Sequence, residues 1–146
     1  MRQIRKIFNI FLLWRTLLFI PVVIGVYFLP VGNSYPFSEN SFYTHLPQFY
    51  NNPYFLIWSN FDGVHYFNIA ADGYTTEARF FPLLPILIFL LSLGNISPEL
   101  TFINALIIPS IIFFFALVFF YKLLRIDYSE EKSYEALKYL IVFPTA

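Results

Sequence analysis

Apolar residues occupy positions 7–29 almost without interruption, return at 100–124, and form a briefer run within 80–96. A helix of roughly 20 apolar residues crosses a hydrocarbon layer of about 30 Å, so 7–29 and 100–124 each predict a transmembrane helix. The third run is densely apolar only over 80–93 and reaches a span's length only when carried on to Ile96. It reads as a short span or as a re-entrant segment. Between the first two runs, Gly32, Asn33, Pro36, Pro47, Asn51, Asn52 and Pro53 break any long periodicity, which predicts a loop over 30–79. Inside that loop, residues from about 60 to 72 have helical spacing, with Gly73 as the stop. Residues 125–139 form a polar, amphipathic segment, and 140–146 begin a further apolar run that the end of the chain cuts short.

Composition agrees with this pattern. Of 146 residues, 58% are hydrophobic and 12% charged, with 20 Phe and 11 Tyr. A soluble domain needs a far more charged surface. The expectation is an all-α integral membrane protein, in which the bilayer takes the place of a single water-excluded core. A net charge of zero gives no reason to expect a nucleic-acid partner, and the membrane lipid itself is the expected one. The absence of cysteine excludes disulfides, thiolate metal sites and cysteine nucleophiles.

Charge also orients the chain. Arg2, Arg5 and Lys6 precede the first run and place the N-terminus in the cytoplasm. A cleaved signal peptide is the competing reading, but the run is long, Arg15 interrupts it, and no small-residue cleavage site follows before Pro30. Arg15 is expected to snorkel back to the cytoplasmic headgroups, with a lipid-phosphate contact as the alternative. No Lys or Arg occurs in the loop before Arg79, which puts 30–79 on the outer face: periplasmic, extracellular or lumenal. The far end is in conflict. If 80–96 spans, the basic segment 125–139 lies outside; if 80–96 is re-entrant, it lies inside, as the charge rule prefers.

Polar chemistry gathers in the second half of the loop. Asp62, His65, Tyr66 and Ile69 stand at i, i+3, i+4 and i+7, one face of a helix. Ser59 or Asn60 would cap that helix, leaving Asp62 in the first turn, where the helix dipole favours a carboxylate. A carboxylate so placed suits general-base removal of a proton from an alcohol, with His65 orienting or sharing that proton. Trp58, Tyr66 and Tyr74 offer flat faces for a sugar or headgroup. Arg79, the one cation of the region, could grip a phosphate with paired hydrogen bonds. Each has a bland counterpart: Asp62 as a helix cap, His65 as an interfacial side chain, Arg79 as a helix anchor. Asp72 and Glu77 read as solvated loop charges, and His45 as an isolated interfacial residue. Gly-rich phosphate loops, metal-ligand spacings and serine nucleophile elbows are absent from the sequence.

The stretch Phe61-Asp62-Gly63-x-His65-Tyr66-x-x-Ile69-Ala70-x-x-Gly73-Tyr74, followed by Phe80-Phe81-Pro82-x-x-Pro85, resembles the PIG-V family. These are the mannosyltransferases that add the second mannose to the glycosylphosphatidylinositol anchor, together with bacterial relatives. The resemblance implies a GT-C-like multi-span helical bundle whose first outer loop carries an acidic catalytic residue. Asp62 falls on that acid, and His65 and Tyr66 fall on the family's His-aromatic pair. The implied reaction is inverting transfer of a mannose-type sugar from a polyprenyl- or dolichyl-phosphate donor to an acceptor hydroxyl on the outer face. No cofactor is implied beyond that lipid-linked donor. Phe61 departs from the Trp common before the acid in eukaryotic members, which bears on the acceptor rather than the acid. Phe143-Pro144-Thr145-Ala146 looks like the opening of a later family motif. The chain thus reads as the N-terminal part of a longer enzyme, inactive alone. Two other classes compete: a non-catalytic membrane assembly or lipid-binding module that keeps the outer-loop helix, and a transporter. The latter has only Arg15, Asn104 and Pro109 to offer at mid-membrane.

Overall fold

The computed structural model describes residues 2–28, 62–74, 79–94 and 97–142. The described residues are helical throughout, without strands: α1 (Arg2–Leu17), α2 (Phe19–Phe28), α3 (Asp62–Asp72), α4 (Leu83–Leu91), α5 (Pro98–Asp127) and α6 (Glu130–Val142). They divide into two compact units, one of 1–21 with 110–146 and one of 22–109.

Two of these stretches, Arg2–Phe28 and Pro98–Asp127, are long and apolar enough to cross a membrane. At 1.5 Å per residue, the 27 and 30 residues rise about 40 and 45 Å. A core helix of a soluble protein would bury such a surface. Here only 11% and 22% of the most apolar windows are buried, and Leu13, Phe115, Phe119 and Leu123 each stand more than half exposed. The first stretch turns at Leu18, between α1 and α2. Pro21 accounts for the turn, since it has no N–H to donate and its ring crowds the carbonyl four residues back, at Leu17.

In the first unit, α1 packs antiparallel to the C-terminal half of α5. Phe8 meets Phe114 edge-on at 5.7 Å, Trp14 meets Phe113 at 5.1 Å, and Arg15 donates a hydrogen bond to Ser110 Oγ. At the other end, Lys6 pairs with Glu130 of α6, and the Tyr134 hydroxyl donates to the Gln3 carbonyl at 3.5 Å. Ile7, Leu117, Tyr121 and Leu137 close the core between them. Both basic segments, Arg2–Lys6 and Lys122–Arg125, therefore lie at the same end of this unit. Arg15 departs from the snorkelling expected of it. Its guanidinium lies 5.0 Å from the Trp14 ring centroid and is held by Ser110, because the facing helix supplies an acceptor within reach and Trp14 an aromatic face.

In the second unit, α3 packs on α4, with Ala70, Ile88 and Ile108 buried together. The run at 80–96 forms a helix of only nine residues, about 13 Å long, well short of a bilayer. Pro82 stands at its start, and Leu93 and Gly94 turn the chain with φ of 53° and 74°. Gly94 N–H donates back to the Phe89 carbonyl at 3.1 Å, closing the end. Asn104 donates to the buried Ser92 Oγ at 3.0 Å.

Helix ends follow local chemistry. Ser97 Oγ accepts the Leu100 N–H at 3.2 Å, with Pro98 at the first helical position of α5. Glu130 and Glu131 occupy the first turn of α6, where the dipole favours acids. The amphipathic segment expected over 125–139 is thus divided: α5 continues to Asp127, and α6 runs from Glu130 to Val142. Residues 30–61 and 75–78 of the expected loop and 143–146 of the final run lie outside the described residues.

Leu137 is fully buried, whereas Tyr139 on the same helix is 79% exposed. Leu137→Ala should lower stability by about 2–5 kcal/mol through the cavity it leaves, and Tyr139→Ala by no more than about 0.5 kcal/mol. Thermal unfolding of the two variants in detergent checks this; equal shifts would mean that α6 does not dock through Leu137.

Candidate functional site

Helix α3 begins at Asp62 and ends at Asp72, so Asp62 occupies the first helical position. Gly73 adopts φ of 81°, a conformation that favours glycine, and its N–H donates to the Ile69 carbonyl at 2.9 Å. The helix is packed on several sides: Val64, Phe67, Asn68, Ile69 and Ala70 are all buried. His65 and Tyr66 are half-buried.

Phe80 is where the predicted residues meet. Its ring stacks on His65 at 4.8 Å with an interplanar angle of 21°, and meets Tyr66 edge-on at 5.3 Å and 72°. The Arg79 guanidinium lies over the same ring at 5.3 Å. The Tyr74 hydroxyl donates to the Phe80 carbonyl at 2.9 Å, tying the chain just after α3 to the residues just before α4. Four of the six residues singled out in the sequence, His65, Tyr66, Tyr74 and Arg79, are thus gathered by one aromatic residue. Trp58 lies outside the described residues, as does Glu77; Asp72 is exposed at the end of α3.

Apolar space flanks α3. On one side is a cavity of about 160 Å³, lined by Gly63, Tyr66 and Phe67 together with Leu84, Ile88 and Phe102. On the other, Ala70, Gly73 and Tyr74 face Pro85, Ile86 and Phe89 across an open groove of about 430 Å³. The local chemistry combines an imidazole and a phenol on one ring with an exposed cation, beside slots suited to hydrocarbon; the Asp62 side chain lies outside the described residues. Among the described residues, no group of three or more His, Asp or Glu stands close enough together to hold a metal ion.

One residue of this site, and one buried elsewhere on α3, escaped the sequence reading. Phe80 was read only as the start of a membrane segment. Its position six residues after Tyr74 and directly beside Arg79 was the available signal. Asn68 is a polar side chain buried in α3, flanked by buried Phe67 and Ile69, and a polar residue within an apolar face was its signal.

No family model, curated protein or solved structure matches this chain. The functional reading therefore rests on the residues themselves.

The His65–Phe80 stack predicts an upfield ring-current displacement of the His65 imidazole protons. In Phe80→Leu those resonances should return toward the positions of an unstacked histidine. His65 resonances that do not move in the variant would remove Phe80 as the residue holding that ring.

Proposed function

We propose that this chain is a multi-pass membrane protein carrying the outer-face acceptor site of a GT-C-type glycosyltransferase. The observation that carries this reading is the convergence of His65, Tyr66, Tyr74 and Arg79 on Phe80 beside a helix that begins at Asp62. Of these, His65 and Tyr66 are the pair that the helical spacing and the PIG-V resemblance both single out, and Arg79 is read from its place at the loop's return to the membrane.

The lipid bilayer is the solvent that suits the bare apolar surfaces of Arg2–Phe28 and Pro98–Asp127. Antiparallel packing of α1 against α5 puts Arg2, Arg5 and Lys6 at the end shared with Arg125 and α6, and the positive-inside rule assigns that end to the cytoplasm. In this reading the loop that carries α3 follows the first span and so belongs to the outer face, and α4, at nine residues, is too short to cross.

At this site the Asp62 carboxylate takes the proton of an acceptor hydroxyl as its oxygen bonds to the anomeric carbon of a mannose-type sugar. The bond from that carbon to the lipid-phosphate oxygen breaks, and its electron pair leaves with the phosphate, which Arg79 neutralises. Attack opposite the leaving group inverts the anomeric centre. His65 and Tyr66, fixed by Phe80, and Tyr74 orient the sugars. The apolar slots beside α3 take the polyprenyl tail of the donor, so the reacting phosphate stays at the membrane boundary.

Removing a general base costs about 10²- to 10⁴-fold. Asp62→Asn keeps size and hydrogen bonding but cannot accept the proton. Transfer of labelled mannose from polyprenyl-phosphate-mannose should therefore fall by that factor in membranes carrying the protein expressed from its full gene, at unchanged protein level. Equal transfer by wild type and variant would leave Asp62 a helix cap. Sidedness has its own test, simplified by the absence of native cysteine. A membrane-impermeant maleimide should label Asp72→Cys in intact cells or sealed vesicles of native orientation, and Lys132→Cys only after permeabilisation. The reverse pattern would overturn the orientation.

A further inference from the structure

At the basic end of the first unit, α1 and α6 enclose a polar depression of about 480 Å³ lined by Arg2, Gln3, Lys6 and Glu130. Its volume lies within the range of small-ligand sites. Arg2 and Lys6 stand at i and i+4 on α1, so both ammonium and guanidinium groups line one wall. Lys6 is fixed from two sides: its Nζ is 3.2 Å from Glu130 Oε1 and 5.0 Å from the centroid of the Tyr134 ring. Tyr134 is itself anchored by its hydroxyl to the Gln3 carbonyl, so the far wall is held in place.

We propose that this depression binds the phosphate headgroup of an anionic membrane phospholipid. The inference rests on the two-span reading above, which places the depression at the headgroup level of the cytoplasmic leaflet. Basic pockets between membrane helices on that side are suited to such headgroups. The Lys6–Glu130 pair is a switchable element of the site. Both partners are 48% exposed, and an exposed ion pair yields its partner readily. An incoming phosphodiester takes the place of the Glu130 carboxylate on Lys6 and receives a second, paired contact from Arg2. The exposed apolar residues that follow Lys6, among them Phe8, Leu12 and Leu13, continue down α1 alongside the acyl chains of the same lipid.

Arg5 lies one turn from Arg2 and carries the same charge, yet it does not line the depression. It separates a site from a general attraction of basic residues to an anionic surface. The measurement is native mass spectrometry of the full 146-residue chain released from detergent micelles, with phosphatidylglycerol and phosphatidylcholine added in equal amounts. In micelles no charged bilayer surface is present, so retained lipid reports a local contact.

The expected result is retention of one phosphatidylglycerol in preference to phosphatidylcholine. Arg2→Gln or Lys6→Gln should weaken it about fivefold, the equivalent of about 1 kcal/mol for one basic group at an anionic headgroup. Lys6→Arg should preserve it, Arg5→Gln should leave it within twofold, and Glu130→Gln should strengthen it by releasing Lys6. Equal retention of both lipids, or a loss in Arg5→Gln as large as in Arg2→Gln, would overturn the site. Protein that leaves the membrane in an alkaline wash would overturn the two-span reading and the site with it. Protein that stays in the membrane without lipid preference would overturn the site alone.

Discussion

Where water is absent, a peptide N–H or C=O has no outside partner, so each must be satisfied within the segment that carries it. Helix is the local solution, and the described residues use it almost everywhere. Breaks fall where side chains or special backbone conformations meet the freed groups. Ser97 receives the Leu100 N–H, Gly94 donates back to Phe89, Gly73 donates back to Ile69, and Arg125 donates to the Tyr128 carbonyl. Proline enters at compatible places, as at the first position of α5 and at the turn around Leu18.

The polar side chains that accompany these helices follow the same rule. Arg15 bonds to Ser110 and lies on Trp14; Asn104 bonds to Ser92. Each such pair links helices by a contact with few alternatives in apolar surroundings. That makes it more specific than the aromatic packing around it, where one ring can replace another at modest loss. The candidate site differs in kind. There an aromatic ring, Phe80, organises the polar groups, leaving the edges of His65 and Tyr66 and the Arg79 guanidinium disposed around a single apolar plate.

Much of this was legible in the chain. The uninterrupted runs at 7–29 and 100–124 required helices of membrane-crossing length, because length and apolarity are local properties. The helix expected over about 60–72 is observed at Asp62–Asp72, since Gly73 supplies the left-handed residue that ends it. The i, i+3, i+4 spacing put His65 and Tyr66 near Asp62 on that helix for the same local reason. Tertiary structure decided what spacing leaves open. Phe67, Phe80 and Phe81 have the same side chain, yet Phe67 is 1% exposed, Phe81 is 72% exposed, and Phe80 alone among them gathers the site. The run at 80–96 reads in the sequence as a span or a re-entrant segment, and its helix, α4, has nine residues. Arg15 met Ser110, 95 residues away, and α1 met α5 antiparallel, bringing the two basic segments to one end. Local propensity and hydropathy act over a few turns of helix, so they determined the elements. Which distant side chains share a ring, a hydrogen bond or a depression depends on packing between elements, and only the folded chain supplies it.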